Sequence, residues 1–335
     1  MIKIVLDAYG GDYAPSEIVK GAISAVEEKE GFELVLFGKK EEVEKILSEN
    51  GYNGKRIIVI DAPEVITNDE VPTEAVRKKT NSSLVSALNY LNENDDAKGF
   101  VSAGSTGAVL TGAVLLLKRI RGVNRPALCP VLPTVADKNV LLMDCGANVE
   151  PKAVNLLQFA IMASAYSKSV LGIENPKVGL LSNGTEEKKG NTLNKEAFPM
   201  LKGCEKIDFI GNIEGRDVLS GEVDVVICDG YSGNICLKSC EGTALTMFEL
   251  IKKGIYAGGL RAKLGYWLLK PVFKGVKHKM DYNDNGGAVL LGLKKIVVKS
   301  HGSSKAKAIK NSVLQVKSLY DSKVIEKIEN ELATR

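Results

Sequence analysis

Short apolar runs alternate with amphipathic stretches along most of the chain. The runs are rich in Val, Ile and Leu, and apolar residues recur at helical spacing in the stretches between them. Strands that are apolar on both sides and alternate with helices are typical of a parallel sheet covered by helices on both faces. The sequence therefore predicts an α/β fold with a largely parallel sheet. The predicted strands are 2–6, 33–37, 56–60, 98–102, 139–143, 177–181, 207–210, 223–227 and 295–299.

The helices that should flank this sheet follow from the same pattern. A chain of 335 residues can bury about three quarters of its unfolded surface, and no repeat or low-complexity linker divides it. We therefore expect a single domain, 1–335, that contains a basic amphipathic helical segment at 252–279. The predicted helices are 15–29, 39–49, 82–93, 105–118, 152–170, 191–201 and 233–253, with a C-terminal helical extension at 303–320 and 323–332.

Composition argues against a secreted, a membrane-spanning, a disulfide-bonded or a metal-binding protein. Hydrophobic content of 44% and charged content of 26% are ordinary for a soluble globular protein. The first residues lead directly into a strand without a secretory leader, and no run of 18 apolar residues occurs, so a cytoplasmic location is expected. The six cysteines show no CxxC pair and no His at metal-ligand spacing. Buried thiols are expected, and neither a disulfide nor a metal site.

Glycine-rich polar loops follow several of the predicted strands. A loop that ends at a helix N-terminus presents backbone N–H groups and the positive end of the helix dipole, which suits a phosphate or another anion. In open α/β sheets, ligands bind at the carboxyl ends of the strands. The pattern therefore predicts a long polar cleft in an enzyme that handles phosphate. Six such loops are predicted along one sheet edge, at 7–12, 102–107, 144–148, 182–185, 211–216 and 229–234.

Nine motifs in order give a more specific indication. Together they resemble the bacterial phosphate acyltransferase family (acyl-ACP:phosphate acyltransferase) over nearly the whole chain. Tyr9 stands where the family usually has Met, and Ser105 where it usually has Asn. The motifs are Asp7-Ala-x-Gly-Gly-Asp12-x-Ala-Pro15, Ser102-Ala-Gly-x-Thr-Gly-Ala108, Arg125-Pro126, Asp144-x-Gly-Ala-Asn148, Glu186-Glu-x-Lys-Gly-Asn191, Gly211-Asn-x-Glu-Gly-Arg-Asp217, Cys228-Asp-Gly-x-x-Gly-Asn234, Gly286-Gly-x-x-Leu-Leu-Gly292 and His301-Gly-Ser-Ser304.

The resemblance implies a fold similar to phosphotransacetylase and isocitrate-dehydrogenase-like proteins, a homodimer, and no metal or organic cofactor. It implies that inorganic phosphate attacks the thioester of acyl carrier protein and gives acyl phosphate for phospholipid synthesis. The implied location is the cytoplasm, in peripheral contact with the inner face of the cell membrane. A membrane glycerol-3-phosphate acyltransferase is a further implied partner.

The candidate phosphate ligands combine N–H donors with cations. Lys189 and Arg216 supply the charge, although Lys189 also suits a solvated loop and Arg216 could instead pair with Asp217 at the surface. Asp7 and Asp12 are expected to orient the loop or cap a helix more than to act on substrate. The predicted phosphate- and substrate-binding residues are Asp7, Gly10, Gly11, Asp12, Ser102, Gly104, Ser105, Thr106, Gly107, Asn148, Asn191, Asn212, Gly233 and Asn234.

Two residues are candidates for proton transfer. His301 precedes a predicted helix start, and its reference pKa near neutrality suits protonation of the leaving thiolate or contact with phosphate. A capping or packing role for His301 remains open. Asp229, just after the predicted strand 223–227, is the second candidate. With Lys189 and Arg216, these residues make up the predicted catalytic set.

The segment 252–279 contains eight Lys and Arg residues and no acid, so the remainder of this +4 chain carries −4. Leu264, Trp267 and Leu268 lie on one apolar helical stripe, with cations beside it. This pattern suits an anionic membrane surface, the acidic acyl carrier protein, or a hairpin packed in a dimer. The candidate docking residues are Arg261, Lys263, Leu264, Trp267, Leu268 and Lys270. Nucleic-acid binding is not expected, because no aromatic residues are interleaved for base stacking.

Two other functions remain open at this level. One is a phosphotransacetylase-like enzyme that uses acyl-CoA, and the other is a scaffold that binds acyl-ACP or lipid without turnover. The basic segment favours a carrier-linked or membrane-linked substrate over acyl-CoA. The number of glycine-rich polar loops favours an enzyme over a scaffold.

Overall fold

The chain forms two sheets rather than one. The structure is a computed structural model that describes residues 1–279 and 286–333, without the side chains of Lys277 and His278. The strands are β1 (Ile2–Asp7), β2 (Phe32–Gly38), β3 (Ile57–Asp61), β4 (Ala97–Ser102), β5 (Ala127–Cys129), β6 (Val131–Pro133), β7 (Asn139–Met143), β8 (Lys177–Ser182), β9 (Asp208–Glu214), β10 (Val225–Ile227), β11 (Ala288–Leu291) and β12 (Ile296–Lys299).

Most neighbouring strands are parallel, as predicted. The first sheet has seven strands in the order β3-β2-β1-β4-β12-β11-β5, and only β11 runs against its neighbours. The second sheet has five strands in the order β6-β7-β10-β8-β9, and only β6 is antiparallel. The polar loops that were expected along one edge are therefore divided between two sheets.

The chain crosses between the sheets at residues 127–133. Strand β5 ends at Cys129 in the first sheet, and β6 begins at Val131 in the second. Each of these strands has three residues, which is too short for a periodic pattern to reveal. The sequence prediction missed both strands, and with them the division of the sheet.

Helices cover both sheets and agree closely with the predicted ones. Only α3, a short helix that begins at a proline, was not predicted. A π-helical turn, Ser167–Leu171, extends α6, and a 3-10 turn, Gly215–Asp217, follows β9. The helices are α1 (Ser16–Glu28), α2 (Lys40–Glu49), α3 (Pro72–Lys78), α4 (Ser83–Glu93), α5 (Thr106–Leu116), α6 (Ala153–Tyr166), α7 (Thr192–Lys202), α8 (Gly230–Ala257), α9 (Gly259–Lys279), α10 (Ala306–Asp321) and α11 (Val324–Ala333).

The core lies on both faces of the sheets, as double helical coverage requires. Ile4 and Leu6 of β1 belong to one buried cluster, and Val5, between them, belongs to another. Because successive side chains of a strand point to opposite faces, this division shows that both faces of β1 are packed. The predicted apolar runs were therefore correct about two-sided burial.

Helices α8 and α9 form a hairpin that extends from the rest of the chain. Gly230 and Gly233 at the start of α8 are buried, but most of the later residues are exposed. The connection passes through Gly259, whose φ of 69° lies in the left-handed region that favours glycine. Among residues 1–279 and 286–333, no helix combines the length and apolar character that crossing a membrane needs.

Candidate active site

The loops at the carboxyl ends of β1 and β4 are joined by Asp7. This side chain is 3% exposed. One carboxylate oxygen accepts a hydrogen bond from Ser83 Oγ at 2.6 Å, and the other accepts one from Ser102 Oγ at 2.7 Å. Burial raises the pKa of Asp7, and these hydrogen bonds oppose that rise. Asp7 therefore acts as an internal tie between elements, in agreement with the expectation that it orients the loop.

Glycines allow these loops to approach one another closely. A Cβ atom on Gly10 would lie 2.5 Å from Asp7 Oδ2 and 2.7 Å from the backbone nitrogen of Gly104. Gly11 has a φ of 112°, a conformation that other residues rarely adopt. The backbone N–H of Asp12 donates to the carbonyl oxygen of Gly302 at 2.8 Å. The loop after β1 thus connects the loops after β4 and β12.

Helix α5 begins at the end of the β4 loop. Ser105 occupies the N-cap position, but its side chain makes no capping hydrogen bond. The backbone N–H groups of the first turn, which includes Thr106 and Gly107, have no partner within the helix. These groups and the positive end of the helix dipole are available to an anion.

Asp144 organises the loop after β7 in the second sheet. Its buried carboxylate accepts hydrogen bonds from Leu128 N of β5 at 2.9 Å and from Asn148 N at 2.6 Å. Asn148 Nδ2 donates to the same carboxylate and to the carbonyl oxygen of Pro126, both at 2.8 Å. Asp144 therefore links the two sheets, and Asn148, predicted as a substrate ligand, is buried within this link.

The start of α8 packs directly on this loop. Asp229 caps the helix, because its Oδ1 accepts a hydrogen bond from Ser232 N at 2.8 Å. A side chain on Gly233 would overlap the carbonyl oxygen of Asp144 and lie 2.6 Å from Cys228 Sγ. Asn234, the next residue, lies beside Gly146. The predicted proton-transfer candidate Asp229 thus has a capping role in the structure.

A cleft of about 420 Å³ lies between the two sheets, and we call it the inter-sheet cleft. The start of α5 and one side of α8, from Asn234 to Glu241, border it, and apolar residues of β5, β6 and α5 form one wall. The residues that line it are Thr106, Gly107, Leu110, Leu128, Pro130, Val131, Leu132, Cys145, Gly146, Asn234, Leu237, Lys238, Glu241, Gly286, Gly287, Ala288, Lys299, Ser300 and His301.

Three basic side chains meet at this cleft. Lys299 is 7% exposed, and its Nζ donates to the carbonyl oxygen of Ser300. His301 Nε2 lies 3.3 Å from Lys238 Nζ, and His301 Nδ1 lies 2.8 Å from Ser303 Oγ. Lys238 also forms an ion pair with Glu241 at 2.7 Å. We call Lys238, Lys299 and His301 the basic cluster.

Burial changes the proton affinity of two members of the basic cluster. It lowers the pKa of Lys299 to about 8, and the neighbouring Asp7 carboxylate opposes that fall. Burial also lowers the pKa of His301, and the charge of Lys238 lowers it further. At neutral pH, His301 is therefore mainly uncharged, while Lys299 remains mainly protonated but releases its proton more readily than an ordinary lysine.

Sequence reasoning missed Lys238 and Lys299. Lys299 ends a strand in the parallel part of the first sheet, and the rule that ligands bind at the carboxyl ends of strands could have selected it. Lys238 is four residues after Asn234, so both lie on one face of α8. That face was visible in the sequence, but its direction depends on how α8 packs on the Asp144 loop.

Four predicted site residues lie in β9 or in the loops after β8 and β9, outside the lining of the inter-sheet cleft. Lys189 is exposed, and its side chain packs against Gly184. Arg216 is 80% exposed and pairs with Glu214 at 2.6 Å and with Asp217 at 3.8 Å, and the second of these is the surface pairing that the sequence left open. Asn191 caps α7 by accepting a hydrogen bond from Asn194 N at 3.0 Å, and Asn212 Nδ2 donates to the carbonyl oxygen of Glu186 at 2.8 Å.

The docking residues predicted on α9 are exposed. Leu264, Trp267 and Leu268 have exposed fractions between 61% and 68%, and Arg261, Lys263 and Lys270 are also exposed. A second cavity, of about 450 Å³, is lined by Val276 of α9, Met247 of α8 and Arg216. Helix α9 therefore folds back along α8. In the part of the chain that the structure describes, no group of three or more His, Cys, Asp or Glu residues could hold a metal ion.

Comparisons with known proteins agree with this architecture. Residues 2–327 match the family described as fatty acid synthesis protein. A phosphate acyltransferase of Clostridium botulinum (strain ATCC 19397 / Type A) is 48% identical over 329 residues, covering 98% of this chain and 97% of the relative. A phosphate acyltransferase of Pediococcus pentosaceus is 44% identical, covering 98% and 93%.

Solved structures show the same fold at low sequence identity. A phosphotransacetylase from Streptococcus pyogenes superposes with a TM-score of 0.64 at 20% identity, covering 97% of this chain and 94% of that one. A branched-chain phosphotransacylase from Enterococcus faecalis gives a TM-score of 0.59 at 16% identity, covering 95% and 98%. The predicted phosphotransacetylase-like fold is confirmed.

Proposed function

This chain belongs to the fatty acid synthesis protein family, and we propose that it transfers a fatty acyl group from acyl carrier protein to inorganic phosphate. The products are acyl phosphate, for phospholipid synthesis, and the free thiol of the carrier. Relatives at 44% and 48% identity are named phosphate acyltransferases. The observation that carries the proposal is the inter-sheet cleft, where the N-terminus of α5 and the basic cluster face one space.

Phosphate is itself a nucleophile, so the site needs to position an anion rather than to supply a nucleophilic side chain. The first turn of α5 offers backbone N–H groups at Thr106 and Gly107. Lys238 and Lys299 offer positive charge on the other side of the cleft. Holding phosphate in place removes much of the entropic cost of bringing two reactants together.

The thioester carbonyl develops negative charge when phosphate attacks it. Backbone N–H groups that point at this oxygen would stabilise that charge in a cleft shielded from water. The backbone N–H of Gly146 and the side-chain amide of Asn234, which both line the cleft, are the donor groups that we assign to it. The apolar wall formed by Leu110, Leu128 and Val131 would receive the first carbons of the acyl chain.

The sequence predicts that Lys189 and Arg216 bind phosphate, and this role remains a proposal to be tested. Both side chains are exposed, and neither lines the inter-sheet cleft. A role at the reaction centre would require the loops after β8 and β9 to move, or a second copy of the chain to bring these residues to a cleft. The basic cluster needs neither condition.

The α8–α9 hairpin supports the proposed macromolecular partners. Its exposed apolar residues, including Leu260 at 87% exposure and Trp267 at 68%, alternate with lysines and arginines. Such a surface suits the acidic acyl carrier protein, an anionic membrane surface, and a homodimer contact. We propose peripheral contact with the inner face of the cell membrane, where a membrane glycerol-3-phosphate acyltransferase would receive the product.

Two rival functions remain as alternatives. The structural similarity to phosphotransacetylases shows a shared fold, and it does not decide between acyl-CoA and acyl carrier protein as donor. A series of acyl-CoA and acyl-ACP substrates with increasing chain length separates these two. A non-catalytic scaffold would bind acyl-ACP without releasing a thiol.

The direct test is incubation of the protein with long-chain acyl-ACP, with and without phosphate. We expect acyl phosphate and free thiol to appear together and only when phosphate is present. Lys238→Ala should raise the phosphate KM by at least about tenfold, because a charged hydrogen bond contributes on the order of 1.5–3 kcal/mol. Arg216→Ala and Lys189→Ala are the matched comparisons. Thioester loss that does not depend on phosphate would remove the proposed function.

A further inference from the structure

The reaction that we propose requires a proton to move between two substrates. At neutral pH, phosphate attacks as HPO₄²⁻, and the acyl phosphate product has no proton on its phosphoryl group. The thioester sulfur leaves with the electron pair of the broken C–S bond and needs a proton to become a thiol. Phosphate therefore loses one proton and sulfur gains one, and a group in the cleft must transfer it.

We propose that Lys299 carries this proton. Its ammonium group gives a proton to the departing sulfur as the C–S bond breaks. The C–O bond to phosphate is already formed at this point, and the resulting neutral amine then takes the proton that remains on the acylated phosphoryl group. The ammonium form is then restored, and no net proton enters or leaves the site. This role rests on the proposed function and adds to it the identity of the proton carrier.

The position of Lys299 supports this role. The side chain is 7% exposed, yet it forms part of the lining of the inter-sheet cleft, so it faces the substrates from a nearly dry position. Among the described residues, its Nζ hydrogen bond is to the carbonyl oxygen of Ser300, which can accept but not donate. Lys299 is fixed by its place at the end of β12, next to Ser102 on β4. A side chain on a strand holds its geometry better than one on a loop.

Burial and the charged groups around Lys299 set its pKa to a value that suits proton transfer to a thiolate. Asp7 from β1 and Asp12 from the following loop favour its charged form, while Lys238 from α8 and burial oppose it. The resulting pKa of about 8 lies close to the reference value of about 8.5 for a thiol. Proton transfer is most efficient when the two groups have similar pKa values near the working pH.

The other basic residues suit this role less well. His301 was the first candidate, but the pKa of its ring is lowered, so at neutral pH it has no proton to give without becoming an anion. Lys238 is half-exposed and pairs with Glu241 at 2.7 Å. These two residues therefore bind phosphate in our assignment, and Lys299 transfers the proton.

The test compares two thioesters that differ only in their leaving group. A long-chain acyl-ACP releases an alkyl thiolate that needs a proton, whereas the S-(4-nitrophenyl) thioester of the same acid releases a stable thiolate that needs none. We expect Lys299→Met to lower kcat/KM on acyl-ACP by about 10²–10⁴-fold, the usual contribution of general acid catalysis. On the aryl thioester the loss should be less than about tenfold, because its thiolate needs no acid and the variant removes only the contribution of the Lys299 charge to phosphate binding.

Matched variants separate catalysis from structure. Lys295→Met removes a half-buried lysine that directly precedes β12, whose Nζ donates to the carbonyl oxygens of Asn94 and Ala97. It should leave the ratio of the two kcat/KM values unchanged. His301→Gln should reduce both reactions equally, because it weakens phosphate binding. Lys299→Arg keeps the positive charge, so this variant should fold. In the parent protein we expect kcat/KM to fall above about pH 8, where Lys299 loses its proton. This fall should be absent in Lys299→Arg.

The outcomes are distinguishable. Equal losses on both thioesters for Lys299→Met, or a leaving-group effect in His301→Gln instead, would overturn the role of Lys299 alone. An alkaline limb near pH 8 that persists in Lys299→Arg would also overturn it. Absence of phosphate-dependent product from the parent protein, with either thioester, would remove the proposed function and this role together.

Discussion

Two buried carboxylates hold the polar loops in their positions. Asp7 joins the ends of β1 and β4 with a serine of α4, and Asp144 joins the loop after β7 with β5 of the other sheet. Burial raises the pKa of each, and the hydrogen bonds that each accepts oppose this rise. A buried acceptor of several hydrogen bonds fixes its donors, because leaving any of them unpaired would cost about 1–3 kcal/mol. Because these carboxylates already fix the loops, only a few other side chains are needed to contact the substrate.

Gly233 is the residue that allows α8 to reach the Asp144 loop. Gly233→Ala should lower the stability of the protein by about 1–3 kcal/mol, because the new methyl group would overlap the carbonyl oxygen of Asp144. Chemical denaturation measures this change, and phosphate KM should rise with it as the start of α8 moves away from the cleft.

Gly242→Ala is the control on the same helix, since a Cβ there meets no atom within 4 Å. It should stabilise the protein by up to about 1 kcal/mol, the usual gain when alanine replaces glycine inside a helix. Equal stability changes in the two variants would contradict the close packing of α8 on the second sheet.

At the scale of elements, the α9 helix carries the proposed contact with anionic membranes. Lys263→Glu combined with Lys270→Glu should reduce the fraction of protein bound to anionic vesicles by at least about tenfold, because each cation near the surface contributes on the order of 1 kcal/mol. Trp267 fluorescence reports the contact directly, since this tryptophan is 68% exposed in the free protein.

The control for this measurement is charge reversal elsewhere on the surface. Lys45 and Lys78 are about as exposed, with side-chain exposures of 74% and 75%, so Lys45→Glu with Lys78→Glu changes the net charge equally. Vesicle binding that falls equally in both double variants, or unchanged Trp267 emission in the parent protein, would argue against α9 as the membrane-binding element.

At the scale of the whole molecule, the sequence predicted elements better than their arrangement. Long apolar runs such as β1 and β4 were found within one or two residues, because period and burial are local properties. The three-residue strands β5 and β6 carry no such signal, and they decide that the sheet divides in two. The position of the inter-sheet cleft could therefore not be read from the sequence.

The same limit explains which site residues were found. The loops around Asp7, Ser105 and Asn234 follow apolar runs directly, so local rules selected them. Lys299 and Lys238 come from different elements 61 positions apart, and only the packing of α8 against the first sheet brings both to one cleft. Arg216 and Lys189 satisfied the local rule but follow β9 and β8, which lie at the far side of the second sheet.

The central claim is that phosphate binds in the inter-sheet cleft, between the start of α5 and the basic cluster. Crystals of the protein soaked in orthophosphate measure this directly. The account predicts density for one phosphate ion in contact with Lys238, Lys299 or His301 and with the backbone of Thr106 or Gly107. An empty inter-sheet cleft with phosphate bound at Lys189 and Arg216 instead would contradict it.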